Sequence, residues 1–221
     1  MKQVVVFGTG DFAQVACSYL RADSPYDIVA FTVHERYMQE RVVLGVPVVP
    51  FEHLLGTHPP EECAMFVAVG YKRLNQARAE IYEECKAKGY ELITYVHSRA
   101  CCSRDVAIGD NCFIFEQNVI QPFVTIGSNV VLWSGNHVGH HTQIGDHCFI
   151  ASHAVISGRV HIGAHCFVGV NATFRDGVRV GPRCVIGGGA VIMHDTQADE
   201  VYAASATEAS RVSSSRLRAF R

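Results

Sequence analysis

Every sixth residue from Ile108 to Ile192 is aliphatic, with one aromatic exception at Phe174. The series runs Ile108, Ile114, Ile120, Ile126, Leu132, Val138, Ile144, Ile150, Ile156, Ile162, Val168, Phe174, Val180, Ile186 and Ile192. A second series lies two residues ahead of it and is mostly small or β-branched: Val106, Cys112, Val124, Val130, Thr142, Cys148, Ala154, Val160, Cys166, Ala172, Val178, Cys184 and Ala190. Its polar members are Asn118, Asn136 and Thr196. A helix repeats at about 3.6 residues and an ordinary strand at about 2, so neither keeps this beat.

A longer period is marked by an apolar-Gly pair at Ile108-Gly109, Ile126-Gly127, Ile144-Gly145, Ile162-Gly163 and Val180-Gly181, 18 residues apart. Three hexads therefore make one coil of a triangular parallel β-solenoid, with both series facing inward and each coil hydrogen-bonding the next. Five coils at the strand spacing of about 4.8 Å give a prism on the order of 24 Å tall. Its flat outer faces are expected to carry apolar residues.

The chain ahead of the repeat has a different pattern. Val4-Val5-Val6 leads into Gly8-Thr9-Gly10, then Asp11-Phe12-Ala13 and a helical pattern reaching Leu20. This strand, glycine turn and helix open a Rossmann-like unit, in which the glycines let a phosphate approach the backbone at a helix start. Ala13 stands at the third glycine position, which that fingerprint permits. A second strand at Ile28–Val33 ends in His34-Glu35, and a third at Ala64–Val69 ends in Gly70-Tyr71-Lys72 before a helix from Gln76 to Lys88. Glu35 is placed as the ribose-binding acid of a dehydrogenase would be. Only about 95 residues precede the solenoid, however, half of a full dinucleotide domain, and a mononucleotide fits better.

The chain has 221 residues, 19 basic and 21 acidic side chains, and a net charge of −2. With no basic run, a nucleic-acid partner has no electrostatic support. Val4-Val5-Val6 follows the start at once and is too short for an export core, and no stretch approaches a membrane span. The cysteines number nine, and Cys112, Cys148, Cys166 and Cys184 fall at inward corner positions. They are expected to be small buried thiols in a reducing cytoplasm, not disulfides.

From about residue 101 to 205 the hexads resemble the hexapeptide-repeat acyltransferases. The resemblance implies a left-handed parallel β-helix, a homotrimer, and active sites in the clefts between neighbouring prisms. Related prisms also serve nucleotide-sugar enzymes, a class of carbonic anhydrase and non-catalytic scaffolds, so the site must decide the function. The glycine turns, together with the linker His97-Ser98-Arg99-Ala100, make the whole chain similar to the sialic-acid O-acetyltransferase-like branch. That branch includes bacterial N-acetyltransferases of nucleotide-linked amino sugars. The family linker usually has the form His-Pro-Ser-Ala, from which Ser98 and Arg99 depart. The implied organisation is a Rossmann-like nucleotide-sugar domain over 1–97, an α/β unit, then an all-β left-handed β-helix over 98–205 and a C-terminal tail over 206–221.

Acetyl transfer from a thioester needs a base near the nucleophile and donors at the thioester oxygen. Asn136, His137, His140, His141, His147 and His153 crowd one stretch, and histidine titrates near neutrality. The resemblance puts the base at His140. Its neighbour in the family is an acid but here is His141, with Asp146 or Glu116 as possible substitutes. A further family histidine aligns with Phe149, near His147 and His153. His147 with His165, and Gln143 with His161, are 18 apart and are expected to form solvated ladders. The family also implies that Gly158 offers its N–H to the thioester carbonyl and that Val170 and Gly188 meet the pantetheine arm of acetyl-CoA. Gly187-Gly188-Gly189 matches the family's glycine run, while Ala204-Ser205-Ala206-Thr207 replaces its closing turn. Arg175, Arg183 and Arg211 are then candidates for the coenzyme phosphates. Gly8, Gly10, Asp11, Glu35, Gly70 and Tyr71 are the candidate residues for the nucleotide sugar. The expected activity is N-acetylation of a nucleotide-linked amino sugar, with O-acetylation of a sialic-acid-type sugar as the alternative. A zinc carbonic-anhydrase-like hydratase and a non-catalytic solenoid stand as further alternatives: the first typically stacks two histidines two coils apart, and none here are, while the second has no need of the glycine turns.

Overall fold

A computed structural model describes residues 1–216, so the tail expected over 206–221 lies outside the described residues from 217 onward. The chain opens with strand β1 (Lys2–Phe7), helix α1 (Asp11–Asp23) and strand β2 (Tyr26–Val33). Strands β3 (Val42–Val43) and β4 (Val46–Pro50), helix α2 (Leu54–Thr57), strand β5 (Cys63–Val67) and helix α3 (Gln76–Ala87) follow. The strands lie in the order β3-β4-β2-β1-β5. All neighbours are parallel except the β3–β4 pair. Val4 and Val6 pack toward α1 with Ala13, Ala16, Cys17 and Leu20, while Val5 and Met65 face α3. Alternating Val4-Val5-Val6 is thus buried on both faces, as a central parallel strand requires.

From Tyr95 onward the chain winds through two-residue parallel strands in three sheets of six, five and seven strands. Each strand is one hexad, and its partner lies 18 residues away, as Val119 pairs with His137 and Thr125 with Gln143. This is the parallel solenoid that the repeat predicts, and the left-handed β-helix that the resemblance implies. Both inward series are buried in one continuous core. The inward cysteines are more than apolar fillers: Cys112, Cys148 and Cys166 donate from Sγ to the carbonyls of Gly127, Gly163 and Gly181, at 3.0, 3.2 and 3.2 Å. Thr142 makes the same bond to the Ser157 carbonyl at 3.0 Å. Each corner is turned by a residue of positive φ, among them Asn129, His141, His147, His153 and His165.

The three outer faces are not equally apolar. The five-stranded face presents Thr125, Gln143, His161 and Arg179, with His161 Nδ1 3.1 Å from Gln143 Oε1. The seven-stranded face presents Phe113, Val131 and Phe149, which join the α1 side of the small domain in one core with Phe12, Tyr19 and Trp133 packed against it. At about 1.5–3 kcal/mol for each such side chain buried, this face holds the N-terminal α/β region against the β-helix. The six-stranded face keeps Val119, Val155 and Val191 exposed at 41%, 43% and 61%. No helix among the described residues is long and apolar enough to cross a membrane.

Candidate active site

Strands β1, β2 and β5 end beside a cavity of 700 Å³, in the crevice where open parallel sheets hold ligands. Gly8, Gly10, Asp11 and Gly70 line it, with His34, Arg36, Lys72 and Arg73. Gly8 has a φ of 115°, and a Cβ there would lie 2.7 Å from the Ala68 carbonyl oxygen, so no side chain fits. Gly10 caps α1 with no side chain on its first amides. Bare amides at a helix start attract an anionic group, and Arg36 and Lys72 add positive charge to the same space. Arg73 is paired with Glu80.

Two of the residues expected here fall elsewhere. Glu35 does not line the cavity: it starts the short turn Glu35–Tyr37 with its side chain exposed, and its N–H donates to Glu52 Oε2 at 2.9 Å. Tyr71 points toward the prism, its ring centroid 5.0 Å from Phe149 and 4.8 Å from Phe167.

His140 and His141 sit on the edge between the six-stranded and five-stranded faces. Both are exposed, and their Nδ1 atoms are 3.1 Å apart. His141 turns the corner at a φ of 60°, with its ring 4.7 Å from Phe123. One coil on, Gly158 lies under the His140 ring: a Cβ there would be 2.8 Å from Cε1 and Nε2. Only a glycine lets the imidazole cover this backbone. The Gly158 N–H donates to Asp176 Oδ1 at 2.8 Å, so a carbonyl oxygen reaches this donor only when Asp176 turns away. Neither Asp146 nor Glu116 replaces the missing acid beside His140. They accept from the Ser128 N–H at 2.7 Å and the Ser134 hydroxyl at 3.0 Å, on the other two edges of the prism.

Val170 and Gly188 lie on the edge between the seven-stranded and six-stranded faces, stacked so that a Cβ on Gly188 would be 3.2 Å from Val170 Cγ2. Beside them is a second cavity, of 420 Å³, walled by Tyr71, Trp133, Phe149 and Phe167 and floored by Ser152 and Gly169. Arg175 is exposed on the His140 edge. Arg183 is held in a two-point pair with Asp199, at 2.6 and 2.7 Å, and Arg211 is exposed beyond the prism. Within one chain the expected contacts therefore divide between two edges: His140, Gly158 and Arg175 on one, Val170 and Gly188 on the other.

Residues 124–158 and 159–194 match the family model of the bacterial transferase hexapeptide (six repeats). These segments carry bacterial transferase hexapeptide repeats. No curated protein matches it. Among solved structures it is similar to the acetyltransferase domain of PglB from Neisseria gonorrhoeae FA1090, with 27% identity, 91% of this chain and 96% of that chain covered, and a TM-score of 0.81. The same domain in complex with acetyl coenzyme A gives 28% identity over 90% and 93% of the two chains, with a TM-score of 0.80. PerB from Caulobacter crescentus, in complex with CoA and GDP-perosamine, gives 27% identity over 89% and 91%, with a TM-score of 0.77.

Several residues of the candidate nucleotide cavity carry no signal in the fingerprint that marks its glycines. Arg36, Lys72 and Arg73 are isolated cations in sequence and meet only where β2 and β5 end. The aromatic cavity had a readable trace: Phe113, Phe149 and Phe167 stand at outward positions in multiples of 18, where a solvated face needs polar residues. The hexapeptide-repeat histidines His147 and His165 do stack, at 4.6 Å, but they form no solvated ladder. Tyr82 of α3 covers His147 at 5.5 Å. Among the described residues, no group of three or more His, Cys, Asp or Glu side chains could hold a metal ion.

Proposed function

We propose that the chain is an acetyl-CoA-dependent N-acetyltransferase acting on the amino group of a nucleotide-linked amino sugar. The observation that carries this reading is the contact of the His140 ring with the Gly158 backbone. As an amine attacks a thioester carbonyl, its nitrogen must lose a proton while the carbonyl oxygen gains negative charge. His140 takes the proton and passes it to the departing thiolate, and the Gly158 N–H stabilises the oxyanion once Asp176 has turned away. His141 holds the His140 ring through the Nδ1 contact, in the place of a carboxylate. The chain supplies the rest by binding. Gly8, Gly10, Asp11 and Gly70 hold the nucleotide, with Arg36 and Lys72 at its phosphates. The sugar extends past Tyr71 into the aromatic cavity, toward the edge where Val170 and Gly188 offer bare backbone to the coenzyme arm. The acetyl coenzyme A bound in the PglB structure, and the CoA and GDP-perosamine bound in the PerB structure, support both ligand classes.

The working form is a homotrimer. Its support is the exposed apolar face bearing Val119, Val155 and Val191, which is bounded by the two edges that divide the site. Threefold closure on that face brings the His140 edge of one copy against the Val170 edge of the next. All nine cysteines are free thiols, which supports a reducing, cytoplasmic compartment.

The test is release of free thiol from acetyl-CoA with a panel of nucleotide-linked amino sugars, GDP-perosamine included, and their hydroxyl counterparts. Turnover is expected with the amines. Transfer to the hydroxyl sugars alone would sink the N-acetyl reading. His140→Ala should lower turnover by about 10²–10⁴-fold while leaving acetyl-CoA binding unchanged; wild-type turnover would move the base to another residue.

A further inference from the structure

Arg78 of α3 enters the domain boundary as a cation that meets no carboxylate. Its side chain is fully buried, and its donors all reach neutral acceptors. Nε bonds Asn129 Oδ1 at 3.2 Å and the Asn129 carbonyl at 3.4 Å, while Nη2 bonds the carbonyls of Asn129, His147 and Cys148 at 3.2, 2.9 and 3.1 Å. Nη1 bonds the Gly70 carbonyl at 3.3 Å and Asn75 Oδ1 at 3.0 Å. Burying a charge without a counter-charge is unfavourable, and adhesion alone needs only an apolar side chain. What the guanidinium adds is a fixed distance between one loop and two successive coils.

That loop, 70–75, is shared by both cavities. Gly70, Lys72 and Arg73 line the nucleotide cavity, and Tyr71 lines the aromatic one. It ends in three consecutive residues of left-handed backbone, Arg73, Leu74 and Asn75, with φ of 52°, 52° and 65°. Such a run persists only where its surroundings hold it. Asn75 supplies a second grip, donating from Nδ2 to the carbonyls of His165 and Cys166 at 3.2 and 3.1 Å. Neither Arg78 nor Asn75 lines either cavity.

We propose that Arg78 and Asn75 are positioning residues for acyl transfer: they lock the 70–75 loop to the coils at Asn129, His147 and His165, and so set the spacing between the nucleotide cavity and the aromatic cavity that receives the amino sugar. This rests on the reading of the chain as an N-acetyltransferase of nucleotide-linked amino sugars. Losing the lock leaves Gly8, Gly10 and Asp11 in place on the nucleotide, since they lie off the loop, but lets Tyr71 shift against the aromatic cavity and misplaces the sugar end; a displacement of about 1 Å at a reacting centre costs on the order of 10²-fold in rate.

The test uses the full chain with Arg78→Lys, Arg78→Met and Asn75→Gly, the last of which keeps the left-handed backbone while removing the amide. Each is measured below its melting temperature. Calorimetry gives the Kd for a nucleoside diphosphate and for a nucleotide-linked amino sugar that the wild type acetylates; kinetics give kcat and the KM for acetyl-CoA. Nucleoside diphosphate affinity and the acetyl-CoA KM should stay within about threefold of wild type, while amino-sugar affinity falls toward that of the bare nucleotide and kcat drops by about tenfold or more. A lower melting temperature with wild-type Kd and kcat would reduce both residues to adhesion and overturn the proposal. So would a parallel loss of both nucleotide affinities. If Arg78→Met does not fold, Asn75→Gly decides, since Arg78 remains in it. A wild type that binds no nucleotide-linked amino sugar would defeat the functional reading and this one with it, an outcome visible without any variant.

Discussion

At the scale of single residues, the crowding of histidines has two causes that sequence spacing cannot separate. His141, His147, His153 and His165 all turn corners, with φ between 60° and 62°. Histidine, like asparagine, is enriched in left-handed backbone. His141 alone among them adds a contact to His140, at 3.1 Å between Nδ1 atoms. His141→Asn should therefore keep the corner and the melting temperature but lower kcat by about tenfold, because His140 loses the group that fixes its ring. His153→Asn should change neither. Wild-type turnover in His141→Asn would leave His141 as a corner residue only.

At the scale of elements, the ladder facing α3 gives the small domain a pH-sensitive seam. Asn111, Asn129 and His147 run along one edge, with Asn111 Nδ2 donating to Asn129 Oδ1 at 2.8 Å and Asn129 Nδ2 lying 2.9 Å from His147 Nδ1. Burial, and then the neighbouring His165, pull His147 down to about 4. An unfolded histidine titrates near about 6.5, so as pH falls below that value the unfolded chain takes up the proton first. Stability is then lost progressively from about pH 6.5 down to about pH 4. His147→Asn removes this loss while keeping the corner, and urea midpoints at neutral and mildly acid pH should differ less in the variant than in wild type. The coils themselves are legible in the sequence because their inward positions repeat, and a buried aliphatic every sixth residue has no competing explanation. The seam is not legible. Arg78 bonds mainly to main-chain carbonyls, which every residue possesses, so nothing in the partner residues announces it.

At the scale of the whole molecule, each face has its own fate: one solvated, one covered by the small domain, one apolar and exposed. Val155→Lys and Val119→Lys place a charge on the exposed face, away from both edges of the site. For the proposed homotrimer, each should leave the chain folded, reduce its mass in sedimentation from trimer to monomer, and abolish turnover together with assembly. A monomer with full turnover would show that one chain completes the site alone. The roles proposed for His140 and Gly158 come from the family resemblance, and the repeat adds that the two stand 18 residues apart, one coil apart on one edge. The role of Asp176 on the Gly158 N–H was not visible, because a carboxylate meeting a backbone amide one coil away leaves no mark on the hexad.

The stack of coils also sets a quantum for change in length. A gain or loss of 18 residues keeps every face and edge in register, whereas a change of another size within the coil between His140 and Gly158 slides the ring off its glycine. Even whole coils are not equivalent. Those from Asn129 to His165 are counted by Arg78 of α3 and by Asn75 just before it, whose side chains grip Asn129, His147 and His165 at fixed heights. Among the described residues, the Val201–Tyr202 strand closes the far end by pairing with Val185–Ile186. Size can therefore drift at that end alone, while the catalytic half of the molecule keeps its measure.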